Sequence, residues 1–343
     1  MRLLIPALLL MPFVAAQADE ANLANSFQPT ATSADMVVFK NASKSVSLGV
    51  NAQLLMAPLA GEDAQSRNGD AADAMGFGVG RAGFAIKAKI GSDVELYVAL
   101  NPLSGGELED LRLRWNYRKN MALGLGVAQV PYSRSLSRSS SSMRFMSKPI
   151  SSGEAAIGER VGLTAEGHYY GGKLGYLIGV YNGGDDKQTN RAGLGYGARF
   201  ESAPLGPLSA LVPNKLRLHL GAGLVLDQGP SVNTMATSAD VTLQGPGGWQ
   251  VFAEYLMDSR EPLAQPVLPA TLPGTVERQV IIVEASAFVW KDRLELAARF
   301  EQYDNNKSLT DHGDQRVITG GANLYFKGHA LKLQTNYINR TET

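Results

Sequence analysis

The sequence has no cysteine among its 343 residues. Disulfide scaffolds and thiolate metal sites are therefore excluded, and an exported chain without them needs a large sheet or core for its stability. After the first residues, no apolar run approaches the roughly 20 residues that a membrane-spanning helix requires. A basic excess is also missing, because 32 Lys and Arg face 32 Asp and Glu. Nucleic-acid binding is therefore not expected.

The first residues have the pattern of an export signal. Arg2 precedes an apolar run from Leu3 to Val14, and the small-residue site Ala16-Gln17-Ala18 follows. The apolar run is too short for a membrane anchor. We expect residues 1–18 to be a signal peptide that is removed after Ala18. Residues 19–343 should form a single domain, because no linker, charge block or low-complexity stretch divides them.

Apolar and polar residues alternate along most of the remaining chain, as in strands with one oily and one wet face. Around residue 111, for example, Leu111 and Leu113 alternate with Arg112 and Arg114. Fifteen such runs start near residues 45, 81, 94, 111, 121, 161, 174, 192, 216, 241, 249, 280, 294, 317 and 331. Bacterial single-chain barrels have an even number of strands. We therefore predict an all-β fold, a transmembrane antiparallel β-barrel of about 16 strands, with 14 as the alternative and Met36–Lys40 as the additional strand.

The connections between these runs alternate in length. Tight joins such as Tyr170–Lys173 and Lys291-Asp292 should be periplasmic turns. The longer segments 57–78, 131–159 and 259–276 should face outside or fold into the pore, with 131–159 as the inward-folding loop. Charges at the middle of strands are costly against lipid, so the polar face should line a water-filled lumen. A soluble sheet with charges on its outer face is the alternative.

Aromatic residues near strand ends are candidates for the interfacial girdles of such a barrel. They are Tyr117, Tyr169, Tyr181, Trp290, Tyr303 and Tyr337.

The connection Pro131–Ser152 is unusual in its charge. It contains Arg134, Arg138, Arg144 and Lys148 and no acidic residue. In a lumen these cations would form a positive constriction that binds and favours anions, together with Arg112 and Arg114 on the neighbouring wall. The alternative is an exposed basic loop that contacts the phosphates of lipopolysaccharide.

Several passages resemble one family. The stretch Leu108–Leu111 through Val127–Tyr132, followed by Ser139–Ser142 and Met143–Phe145, is similar to the phosphate-selective porins, the O and P porins. That family has a strand hairpin that runs into a G-x-x-x-V-P-F segment, a serine-bearing loop and an Arg-led strand. Tyr132 stands where the family prefers Phe. The resemblance implies a sixteen-stranded barrel, commonly trimeric, with an inward-folded basic loop that passes phosphate or other small anions.

The leading hypothesis is an outer-membrane porin of a bacterial cell that allows passive diffusion of small hydrophilic solutes and prefers anions such as phosphate. Its partners should be small anionic solutes, outer-membrane lipid and lipopolysaccharide, and two further copies in a homotrimer. No catalytic activity, cofactor, metal or nucleic acid is expected. Two alternatives stay open: a non-conducting structural or adhesion barrel, and an outer-membrane hydrolase using Glu166 and His168.

Overall fold

The computed structural model of the chain describes residues 7–9, 36–57, 76–102, 107–138, 142–151, 157–183, 193–208, 211–229, 232–262, 274–308 and 314–342. Within these ranges it contains seventeen strands and the four-residue helix α1 (Arg134–Ser137). No helix in the described parts of the chain is long and apolar enough to cross a membrane. The strands are β1 (Ala7–Leu9), β2 (Met36–Lys40), β3 (Lys44–Ala57), β4 (Gly76–Ile90), β5 (Val94–Asn101), β6 (Glu107–Arg118), β7 (Met121–Gln129), β8 (Glu159–Tyr169), β9 (Leu174–Asn182), β10 (Leu194–Ser202), β11 (Arg217–Gln228), β12 (Val232–Gly245), β13 (Trp249–Pro262), β14 (Val276–Trp290), β15 (Leu294–Asp304), β16 (Gln315–Lys327) and β17 (Leu331–Glu342).

The strands β2 to β17 form one antiparallel sheet in which each strand pairs with the next along the chain. Strand β1 pairs with β17, with Ala7 opposite Asn336, and also contacts β3. The first and last strands of the sheet therefore approach each other on either side of residues 7–9, which belong to the expected signal peptide, and the fold is barrel-like. The prediction of an antiparallel barrel of about 16 strands is confirmed. The expected cleavage site after Ala18 lies outside the described residues.

The connections divide the sheet into two rims. The short-turn rim contains the joins 41–43, 91–93, 119–120, 170–173, 246–248, 291–293 and 328–330, and the longer connection 203–216. The long-loop rim contains all the others. Left-handed backbone closes the tight turns, as at Gly171 with φ 67° and Gly172 with φ 82°. The short joins are periplasmic in barrels of this kind.

The two faces of the sheet are the reverse of those in a soluble protein. On β6, Leu111, Leu113 and Trp115 are 38%, 43% and 49% exposed. On β15, by contrast, Glu295 and Glu301 are fully buried. Charged groups therefore lie inside and hydrocarbon lies outside, an arrangement that is stable in lipid and unfavourable in water.

Aromatic residues occur on both faces, which corrects part of the girdle prediction. Tyr117, Tyr169 and Trp290 are exposed on the apolar face near the short-turn rim. Tyr181 and Tyr303 are buried inside, at 2% and 6% exposure. The alternation along β9 and β15 gives these two tyrosines the inward side, so they cannot contact lipid.

Candidate functional site

The connection after β7 lies against the polar face of the sheet. We call its described residues, 130–138 and 142–151, the inner loop. Pro131 has no backbone N–H and so cannot continue the strand pairing of β7. The loop then crosses two strands at glycines. A Cβ at Gly223 of β11 would lie 2.2 Å from the carbonyl oxygen of Tyr132, and one at Gly197 of β10 would lie 3.0 Å from Pro131 Cδ.

The start of the inner loop packs into an apolar cluster on the inner wall. Val130, Tyr132 and Leu136 are buried there with Ile157 and with residues from β9 and from β11 to β15. The carbonyl oxygen of Tyr132 accepts hydrogen bonds from Arg199 Nη1 at 3.0 Å and from the Ser238 hydroxyl. Apolar burial and main-chain hydrogen bonds together hold this part of the loop on the wall. The residues of the cluster are Val130, Tyr132, Leu136, Ile157, Tyr181, Val225, Ala236, Phe252, Leu256, Val280, Ile282 and Tyr303.

A wall carboxylate fixes the start of α1. Ser133 is the N-cap residue, and its Oγ accepts from the backbone N–H of Leu136 at 3.3 Å. Glu254 of β13 accepts from Ser133 Oγ at 3.0 Å, from the N–H of Arg134 at 2.6 Å and from the N–H of Ser135 at 3.2 Å. The carboxylate therefore satisfies backbone donors that a short helix leaves open.

The four predicted loop cations all have partners. Arg134 Nη1 lies 3.5 Å from Glu201 Oε1 and 3.2 Å from His219 Nε2. Arg138 Nη1 donates to Glu284 Oε2 at 2.6 Å, and its guanidinium lies 3.8 Å from the ring centroid of Phe252. Arg144 Nε donates to Glu295 Oε1 at 2.6 Å. Lys148 Nζ donates to the carbonyl oxygen of Leu136. The three arginines thus neutralise carboxylates of β10, β14 and β15.

Further polar side chains of the wall bind the loop backbone. Lys332 Nζ donates to Met143 O at 2.5 Å, and Asn323 Nδ2 donates to Arg144 O at 2.9 Å. Gln53 Nε2 of β3 donates to Met146 O at 3.2 Å, and Arg299 Nη1 donates to Ser147 O at 3.0 Å. The loop end is held where Ser151 Oγ donates to Glu301 Oε2 at 2.6 Å. The inner loop is therefore attached to β3 and to β10–β17. The sequence predicted that polar side chains of the strands face inward, but not that these ones bind the loop. Their only signal is the inward position that alternation gives them.

Arg112 and Arg114 belong to a different wall. Both project from β6, eight strands from β14 in the strand order, so they lie across the lumen from the wall that binds Arg138. Arg112 Nη2 donates to Asp110 Oδ2 at 3.1 Å, and Arg114 Nε donates to Glu166 Oε1 at 2.6 Å. The structure therefore does not bring these two arginines to the loop cations.

Two lysines of β4 lie on the same wall as Arg112 and Arg114. Lys87 and Lys89 share one carboxylate, Glu95, with Nζ–Oε distances of 3.7 and 3.1 Å. Their side chains are 26% and 46% exposed, and those of Arg112 and Arg114 are 18% and 17% exposed. This wall keeps water contact, whereas the carboxylates beneath the inner loop do not. We call Lys87, Lys89, Arg112 and Arg114 the basic wall.

Burial affects the two innermost loop arginines differently. The pKa of Arg134 is lowered, chiefly because burial disfavours its charged form, and Glu201 opposes this effect. Burial is also the largest influence on Arg144, but Glu295 and its neighbours outweigh it and raise the pKa. Arginine is protonated far above neutral pH, so both side chains remain cationic. Of the serine run that follows Arg138, only Ser142 lies within the described residues.

The residues of the hydrolase alternative are engaged in the basic wall. Glu166 accepts the hydrogen bond from Arg114 at 2.6 Å, and His168 follows it on the same face of β8. In the described portion of the chain, no group of three or more His, Cys, Asp or Glu could hold a metal ion.

Comparisons with known proteins identify a family and a fold. The family model described as "Phosphate-selective porin O and P" matches residues 60–225 and 292–343. A search of curated proteins gave no significant match. Among solved structures, the chain is similar to an anion-selective porin from Comamonas acidovorans, with 13% identity, a TM-score of 0.50, and coverage of 88% of this chain and 100% of that one.

Two further solved structures share the fold. OmpT, an outer membrane protein of Vibrio cholerae, has 10% identity and a TM-score of 0.53, with coverage of 90% of this chain and 99% of that one. OmpF of Salmonella typhi, solved in complex with daunomycin, has 13% identity and a TM-score of 0.53, with coverage of 89% and 100%.

Proposed function

The chain belongs to the phosphate-selective porin O and P family, and from this we propose that it passes small hydrophilic solutes by passive diffusion and prefers anions, phosphate among them. Its location in the bacterial outer membrane and its porin class follow from that family membership. A channel, rather than an enzyme, is the function that this family and fold support. The preference for anions is the finer proposal, and it depends on the charges inside.

The basic wall is the observation that carries this proposal. Lys87, Lys89, Arg112 and Arg114 stand on the side of the lumen that keeps water contact. Two of these cations share the single carboxylate of Glu95, so a positive charge remains uncompensated there. A water-filled passage beside such a wall favours anions, because an excess charge in a confined low-dielectric channel attracts counter-ions.

The inner loop has a second part in the proposal. Arg134, Arg138 and Arg144 are already paired with buried carboxylates, so their net field in the lumen is small. We propose that they hold the constriction in place and thereby set its width. Arg112 and Arg114 are likewise each paired with a carboxylate, so Lys87 and Lys89, which share Glu95, attract the permeating anion. Anion selectivity and pore size are therefore assigned to opposite walls.

Planar bilayer recording under a salt gradient tests this division. The Lys87→Gln/Lys89→Gln variant should move the reversal potential toward cations and leave the channel otherwise similar in size. The Arg138→Gln/Arg144→Gln variant should change single-channel conductance because the loop loses its attachment. Lys307→Gln/Arg316→Gln, at the long-loop rim, is the matched control and should change neither quantity.

Two results would contradict the proposal at different levels. An unchanged reversal potential in the Lys87→Gln/Lys89→Gln variant would refute the basic wall as the source of selectivity. Absence of any conductance from a folded, heat-modifiable barrel would refute diffusion itself and favour the non-conducting structural or adhesion barrel.

We also propose that the porin forms a homotrimer in a membrane containing phospholipid and lipopolysaccharide. The resemblance to the O and P porins supports this assembly, and the continuous exposed apolar face provides the surface that subunits and lipid would share. Chemical cross-linking of the folded protein in detergent should give a ladder that ends at three copies. A ladder that ends at one copy would refute the trimer.

A further inference from the structure

The short-turn rim is strongly basic. Its turns and the adjoining strand ends carry ten exposed Lys and Arg residues but only two exposed acids, Asp93 and Asp292. Among the described residues, no salt bridge is formed by the six rim cations Lys40, Lys119, Lys173, Lys291, Arg293 and Lys327. Their charge is thus available to a partner.

This charge is separated from the acids of the chain. The chain as a whole is neutral, with 32 cations and 32 anions. Eight acids of the described residues are buried inside the barrel, among them Glu201, Glu254 and Glu295. The protein therefore has a positive rim at one end, although its composition shows no excess of positive charge.

Exposed aromatic residues lie directly beside the positive rim. Trp115, Tyr117 and Trp290 are 49%, 49% and 64% exposed on the apolar face, each within four residues of a short turn. Trp115 and Tyr117 meet edge to face at 5.6 Å. The Arg118 guanidinium lies 5.1 Å from the Tyr117 ring centroid and donates to its hydroxyl at 3.4 Å. Aromatic belts mark the level of lipid headgroups, so Arg118 is held at that level.

We propose that the short-turn rim is a binding surface for anionic phospholipid headgroups in the leaflet that contacts this end of the barrel. Charge complementarity supports it, since basic residues at the membrane surface attract lipids that carry net negative charge. Continuity supports it as well, because the rim is joined to the lipid-facing apolar band by the aromatic residues. Short turns face the periplasm in such barrels, so the leaflet is the periplasmic one.

The tryptophans provide a selective reporter of this surface. All three in the chain, Trp115, Trp249 and Trp290, lie at strand ends that adjoin short turns. The folded protein is reconstituted in phosphatidylcholine vesicles that contain a fixed fraction of brominated phosphatidylglycerol or of brominated phosphatidylcholine. Bromine quenches tryptophan fluorescence only at contact. Brominated phosphatidylglycerol should quench several-fold more effectively, and high salt should remove the difference.

Two double charge-reversal variants distinguish the effect of the rim charge from the effect of the protein's net charge. Lys119→Glu/Lys291→Glu should bring the quenching by the two brominated lipids close to equal. Lys307→Glu/Arg316→Glu changes the net charge equally at the other rim and should preserve the preference. Heat-modifiability on gels identifies variants that have folded, and the salt dependence of the wild type needs no variant at all.

Three results would overturn the proposal. Equal quenching by both brominated lipids in the wild type would show that the rim does not select anionic lipid. A preference that survives Lys119→Glu/Lys291→Glu would place the binding elsewhere. A preference abolished by inorganic phosphate, but not by chloride at equal ionic strength, would identify the ligand as free phosphate instead of lipid.

Discussion

Gly223 lacks a side chain at the point where the inner loop crosses β11. An alanine Cβ there would lie 2.2 Å from Tyr132 O and 2.6 Å from Tyr132 Cα, so the loop must move while the strand itself accepts alanine. We predict that Gly223→Ala folds normally but changes single-channel conductance and increases its noise. Gly320→Ala is the control, because no atom lies within 4 Å of its added Cβ. Identical recordings from both variants would show that the loop is not seated by Gly223.

Arg144 and Glu295 form a pair in which the carboxylate has no solvent contact, with a distance of 2.6 Å. Removal of one partner from a buried pair leaves an uncompensated charge and costs about 3–5 kcal/mol. We predict that Arg144→Gln lowers the urea midpoint of unfolding in lipid vesicles by a clear margin. The double variant Arg144→Gln/Glu295→Gln should recover much of the loss. If the double variant is the less stable of the two, the pair does not act through its charge.

At the scale of the element, the inner loop is basic because the wall beneath it is acidic. Glu201, Glu284 and Glu295 each receive one of its arginines, and Glu254 receives the start of α1. The purely positive charge of this segment in the sequence is therefore explained first by its attachment to the acidic wall. Glu201, Glu284 and Glu295 are far apart in the sequence, so no local pattern could have shown this pairing.

We expect the attachment to make the inner loop resistant to cleavage, although it contains three sites for trypsin, after Arg134, Arg138 and Arg144. Glu254→Ala removes the acceptor for Ser133 Oγ and for two backbone N–H groups. We predict that trypsin cuts the folded Glu254→Ala variant near Arg134 or Arg138 and leaves the folded wild type intact there, as mass spectrometry of the fragments would show. Cleavage of both proteins at equal rates would mean that Glu254 does not hold the loop.

The sequence predicted the strands well, but it did not predict the direction of every side chain. All fifteen predicted runs correspond to strands β3 to β17, and Met36–Lys40 is β2. Alternation fixes these strands because lipid and water demand opposite side chains. Tyr181 and Tyr303 were expected at the lipid interface but lie inside. An aromatic ring is equally suited to lipid and to the apolar cluster beneath the inner loop. The pairings between loop arginines and wall carboxylates could not be predicted from the sequence, because they depend on the closure of the whole sheet.

For the whole molecule, the reversed faces give a direct test with introduced thiols, because the native chain has no cysteine. Leu113 is 43% exposed on the apolar face, and Thr164 lies on the inner face of β8. In vesicles, Leu113→Cys should not react with a charged maleimide, whereas Thr164→Cys should. Both should react after denaturation. Labelling of folded Leu113→Cys would refute the contact of this face with lipid.

The inner loop covers one wall, so we expect the passage to run off-centre along the basic wall. One side of that passage is loop backbone held over neutralised carboxylates, and the other carries Lys87, Lys89, Arg112 and Arg114. A molecule that crosses therefore experiences a lateral electric field as well as a constriction. We predict that solutes with separated charges turn as they pass, with their negative end toward β4 and β6, and so reach the periplasm in one orientation.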